Sequence, residues 1–235
     1  MSAEKNAGQS GNVLFIILIA VVLIGALSAA ILSSGNSENA QIDKETLALR
    51  QSEVQRYAAE LQRAVGYIMQ NGVSESDIRF AHPDANADYG DLSADADPSD
   101  QVFHKDGGGA GYQAPPSGVN DGSAWEFYGQ THIPGIGTSR ADLIAVLPNV
   151  TQSFCDAVNQ SAGQTGAPTD TAACLNSGAA GRFDDATQFA ASPNTVDEST
   201  FEQDPSVSAV YPATEACVVC SADSSRHYYT VLLAR

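Results

Sequence analysis

Two sets of residues in this chain have types and spacings that could carry chemistry. The first is four cysteines, Cys155, Cys174, Cys217 and Cys220, all in the last third. Cys217-Val-Val-Cys220 has the spacing of a thiol–disulfide redox pair. Such a pair wants its first cysteine at a helix N-terminus, where the dipole lowers the thiol pKa. Here it lies between β-branched residues in a strand-like context, which favours a structural disulfide. Zinc would need free thiolates, in a compartment that does not oxidise them. The sequence order favours Cys155–Cys174, closing the loop behind a short helix, with Cys217–Cys220 as the second bridge. Cross-pairing of the helix cysteine to the C-terminal hairpin would staple a sheet equally well.

The second set is acidic. Asp84-x-Asn86-x-Asp88 spaces three oxygen ligands as in a calcium loop, and Asp95 falls at the twelfth position. The glycine comes at Gly90, one place later than an EF-hand turn requires, and the twelfth residue is Asp rather than Glu. The competing reading is a solvated acidic loop. Calcium is therefore the one cofactor the sequence suggests. His82, His104, His132 and His227 have no metal-ligand spacing, and no Gly-x-Ser-x-Gly elbow is present. The Gly107–Gly111 cluster lacks the Gly-Lys-Ser/Thr ending of a phosphate loop. No catalytic residues emerge, and the expectation is a non-enzyme.

The formal net charge is −17, from 28 acidic against 11 basic side chains. A surface this negative repels phosphate backbones, so nucleic acid is not an expected partner.

These residues need elements to hold them. Residues 1–11 form a polar leader with Glu4 and Lys5, and 12–32 contain an apolar run from Val13 to Leu32. As a helix that run measures about 30 Å, enough for a membrane-spanning segment. It predicts the lipid bilayer as partner of residues 13–32, with the cysteine-bearing side exported. A hinge is expected over 33–39 (SSGNSEN). An amphipathic stem helix follows over 40–72, with Leu47, Val54, Leu61 and Ile68 repeating every seven residues and Asn71-Gly72 as its stop. Residues 73–235 read as one exported domain with long loops over 84–123 and 163–209. Strands are predicted at Gln101–His104, Ala124–Ile133, Asp142–Leu147, Ala216–Cys220 and Arg226–Ala234, and a helix at Thr151–Ala162. The fold class is α+β: a long N-terminal helix, half membrane-spanning and half amphipathic, packed on a small antiparallel sheet.

The leader ends in Gly11 with the apolar run close behind. This arrangement resembles the class III leader of type IV pilins and pseudopilins, in which a prepilin peptidase cuts after the glycine. The resemblance implies processing between Gly11 and Asn12 and a helix retained as filament core. The family's usual Glu at the fifth mature position is replaced here by Ile16. The competing processing is signal-peptide cleavage near Ala30. The stretches GNVLFIILIAVVLIGALS, NGVSESDIRFAHP, DLIAVLPNV and YYTVLLAR also resemble uncharacterised exported proteins of Gram-negative bacteria. The implied function is a minor pilin or pseudopilin-like subunit of a type IV filament or type II secretion-like system, at the inner membrane, in the periplasm or on an extracellular filament. Its partners would be other pilin-like subunits or secretion components. The alternative is an anchored binding module with an acidic, calcium-type ligand surface.

Overall fold

The computed structural model describes residues 10–164, 167, 169–170, 174–176, 178–196 and 214–235, with side chains from 15–24 and from 44 onward. Residues 1–9 of the leader lie outside the described residues, as do the side chains of Gly11 and Asn12. The chain divides into two units, Met1–Thr46 and Leu47–Arg235.

Helix α1 spans Ser10–Gln70. Residues 33–39, the expected hinge, are helical. Ser and Asn cost only a few tenths of a kcal/mol each in a helix and the single Gly35 about 1 kcal/mol, so this short polar run is a weak breaker. In the first unit the described apolar side chains run from Phe15 to Ile24, all exposed. Among the described residues no helix is long and apolar enough to cross a membrane. The membrane-spanning half of the expected fold is corrected accordingly.

In the second unit the α1 stripe is buried: Val54, Leu61, Val65 and Ile68 are each at most 1% exposed. The helix stops where Gly72 takes φ +92°, a backbone that glycine adopts without steric cost. The predicted small antiparallel sheet is in fact six-stranded and mixed. It comprises β1 (Glu126–His132), β2 (Asp142–Leu147), β3 (Thr169–Asp170), β4 (Asn194–Thr195), β5 (Glu215–Cys220) and β6 (Arg226–Leu233), in the order β3-β5-β6-β2-β1-β4. The four inner strands pair antiparallel, while β3 and β4 add to the edges in parallel. The edge strands come from 163–209, where the composition predicts only a surface loop. Two-residue strands have too little periodicity to announce themselves.

Every residue of β2 is buried because both sheet faces are covered. Leu143, Ala145 and Leu147 join α1 and helix α2 (Gln152–Ser161, capped by Thr151) in one core. Ile144 and Val146 face a second, smaller core with Leu175, Val196 and Tyr229. The predicted strand at Gln101–His104 is a single bridge from Gln101 to Arg79 followed by turns. The segment 84–123 nevertheless supplies core, since Tyr89, Val102, Phe103 and Val119 are buried. Close approach explains Gly108. A Cβ there would lie 2.8 Å from Ala64 Cβ on α1 and 2.7 Å from the Val102 carbonyl oxygen. Gly108→Ala is expected to lower stability by about 1–3 kcal/mol through overpacking, read by urea denaturation.

Candidate functional site

The predicted calcium ligands are not brought together. Asp84 is mostly exposed, 3.7 Å from His82 Nδ1. Asn86 Oδ1 accepts from Asp88 N at 3.0 Å. Asp88 Oδ2 lies 2.6 Å from Arg182 Nη1. Asp95 accepts from Asp97 N at 3.1 Å and from Gln101 Nε2 at 2.7 Å. Among the described residues Asp84, Asp88 and Asp95 form no cluster. The every-second-residue spacing serves another purpose. Asn86, Asp91, Asp95 and Asp97 each accept from the backbone N–H two residues on, making a run of Asx turns. The same short acids that would ligate a cation hold the backbone of an irregular segment.

Arg182 is the hub beside this run. Its Nε and Nη2 donate to the two carboxylate oxygens of Glu126, both at 2.7 Å, while Nη1 reaches Asp88. Tyr89 Oη donates to Glu126 at 2.7 Å and accepts from Phe127 N at 2.8 Å. Burial, with the Glu126 charge adding to it, pushes the Tyr89 phenol well above its ordinary value. Next to the hub lies a cavity of about 290 Å³ lined by Arg79, Asp91, Asp95, Asp100, Gln101 and Asp185 among others. Burial raises the Asp100 carboxyl, the Asp95 charge raises it further, and Arg79 opposes both. A second cleft, about 270 Å³, lies between α1 and the 113–125 segment, with Tyr57 and Trp125 in its wall and Glu53 and Arg56 also lining it.

A further buried acid sits at the start of β2. Asp142 is fully buried and accepts from Ile133 N at 2.9 Å and from Arg235 N at 3.0 Å. Burial raises its carboxyl, and those two N–H groups oppose the shift. Its role is to tie the C-terminus to the sheet.

The cysteines pair as Cys155–Cys217 and Cys174–Cys220, with Cα separations of 5.3 and 5.2 Å. The expected Cys155–Cys174 and Cys217–Cys220 pairing is corrected, for a geometric reason. Cys217 and Cys220 lie in one strand, three residues apart, so their Cα atoms are about 10 Å from each other and their side chains leave opposite faces. A disulfide needs less than about 7 Å. Each therefore bonds a different layer. Cys217 reaches α2 through Cys155, where Asn159 also clamps the strand, its side chain donating to Cys217 O and accepting from Cys217 N, both at 2.8 Å. Cys220 reaches Cys174, beside the smaller core.

His227 stands at this second disulfide. One of its ring nitrogens and the sulfurs of Cys174 and Cys220 all lie within 4.8 Å of one another. No sequence spacing announces this, because Cys174 arrives from another part of the chain. His227 is 8% exposed. Its Nε2 is 2.8 Å from Ser225 Oγ, which donates to Asp223 Oδ1 at 2.6 Å. Its Nδ1 is buried with no hydrogen-bond partner among the described residues. Burial lowers the His227 pKa, and the Asp223 charge opposes that shift. The unfolded chain then binds a proton near the ordinary value of 6.5, whereas the folded chain does so only at lower pH. This contribution to stability is complete above about pH 6.5 and is lost as pH falls below it. His227→Gln is expected to reduce the drop in Tm between about pH 7.5 and 5.5, measured against the parent chain.

Comparison of the chain with protein-family models, curated proteins and solved structures finds no match in any of the three.

Proposed function

We propose that this chain is an assembly subunit of the pilin-like kind, exported, with its N-terminal helix packing against equivalent helices of other subunits. The observation that carries the reading is the helix surface itself. Phe15, Ile16, Val21, Leu23 and Ile24 are each 59–65% exposed, and they occupy every side of the helix rather than one stripe. A helix apolar all round belongs among other apolar helices. Each such side chain contributes about 1.5–3 kcal/mol on burial, so a handful offsets an association cost of about 4–15 kcal/mol.

Two disulfides support an oxidising, exported setting for the Leu47–Arg235 unit. The resemblance of the leader around Gly11 to class III leaders supports the mode of assembly. With Ile16 where pilins carry a carboxylate, packing here would rest on apolar contact alone, which suits a minor component better than a bulk one.

The test is to express the full chain with and without a prepilin peptidase and other class III-leader subunits. The expected result is a mature N-terminus at Asn12 that depends on the peptidase, and co-isolation with those subunits that Val22→Asp abolishes. A start near Ala30, an uncut chain, or co-isolation indifferent to the aspartate would reject the proposal.

A further inference from the structure

We propose that Cys174, Cys220 and His227 form a redox-gated site for a borderline or soft cation of the Zn²⁺ class, closed while the disulfide stands and opened by its reduction. The two bonded sulfurs and one ring nitrogen of His227 lie within 4.8 Å of one another, so on reduction the thiolates need only part from their bonded separation to the wider spacing of donors around one tetrahedral ion. The histidine is poised for the role. Because Ser225 Oγ gives its proton to Asp223, the Nε2 contact at 2.8 Å requires Nε2 to be the protonated nitrogen. That leaves Nδ1 as the nitrogen with a lone pair, buried and without a partner among the described residues. A metal-binding imidazole is arranged in this way, one nitrogen free to ligate and the other fixed by a hydrogen bond. A buried, unused acceptor is costly unless something completes it.

The gate follows from a difference between the two disulfides. Cys155 and Cys217 are both fully buried, whereas Cys174 is only partly buried. Cys174 and Leu175 also hold φ of +47° and +58°, left-handed conformations that ordinary side chains rarely adopt. Exposure and local strain together make this the more labile bridge. A dithiol reductant would transfer two electrons to the S–S bond, becoming a disulfide itself and leaving two thiols on this chain. Binding the cation then releases both thiol protons to solvent. Two thiolates and one imidazole supply three ligands, with water or a fourth donor completing the shell.

The experiment compares the oxidised full chain with the same chain treated with a phosphine under native conditions. The phosphine takes the oxygen of water and gives two electrons to the disulfide, so no competing thiol is added. Two thiols are expected to titrate quickly and two only after unfolding. The reduced chain should bind one Co²⁺ with a thiolate-to-cobalt charge-transfer band that Zn²⁺ abolishes, and the oxidised chain should show neither. His227→Gln should weaken Zn²⁺ binding at least about tenfold and move the cobalt band. Fluorescence of Trp125, the one tryptophan, reports whether the fold survives. The proposal is overturned by a reduced parent chain that gives no band while Trp125 stays native. It is equally overturned by release of all four thiols together with loss of the native signal, or by a His227→Gln variant that binds Zn²⁺ as tightly as the parent.

Discussion

Replacing Cys155 and Cys217 together with alanine is expected to lower the unfolding free energy by about 4 kcal/mol. The bridge closes a loop of 62 residues, and the chain-entropy relation gives roughly that value for a loop of this length. Two effects add to it. Both cysteines are fully buried in the larger core, so the alanines leave a void. The Asn159 clamp on Cys217 also loses the covalent link that holds α2 against β5. The Cys174–Cys220 bridge closes a similar loop of 46 residues, yet its removal is expected to cost less. Freeing Cys174 and Leu175 from left-handed backbone relieves native-state strain and so offsets part of the loss. Urea denaturation of the two double variants, with slopes compared, reads the difference. Equal losses would mean the left-handed residues carry no strain.

Phe80→Ala is expected to remove about 3–5 kcal/mol, although Phe80 lies outside any regular element. Its ring stacks on Phe127 with centroids 3.9 Å apart and meets Tyr89, Phe103 and Phe183 edge-on at 6.3–6.4 Å. Those partners come from the 84–123 segment, from β1 and from the stretch leading to β4. One truncation thus loosens the three parts that cover this side of the sheet. Thermal denaturation should show the loss. A change below about 1 kcal/mol, the level of a surface site, would mean the 84–123 segment is not part of the cooperative core.

The difference between what the chain announces and what it hides follows from locality. DLIAVL carries five successive apolar residues and RHYYTVLL is rich in aromatic and β-branched residues, and they form the central strands β2 and β6. Phe154, Cys155 and Val158 recur at helical spacing and face inward from α2 as that spacing requires. Tyr89, Val102, Phe103 and Val119 follow no period, because an irregular segment buries single side chains wherever its turns aim them. The acidic run matched a calcium loop in spacing, but spacing cannot show that Arg182, 94 positions away, occupies Asp88. The cysteine pairing was partly legible: a strand places residues three apart on opposite faces, and applying that period to Cys217 and Cys220 excludes their union. The closeness of His227 to the second disulfide was not legible, since Cys174 comes to it from a distant part of the chain.

The crossed order of the bridges, first cysteine to third and second to fourth, bears on how the chain acquires them. Contact between two thiols in an unfolded chain falls off with the length of the intervening segment. Cys155 and Cys174 are closer in sequence than either native pair, so early oxidation favours partners that the finished sheet separates. The chain must then exchange bridges before β5 can close, and each exchange is slow without a catalyst. Yield in a cell should therefore follow the supply of disulfide isomerase more closely than the supply of oxidant.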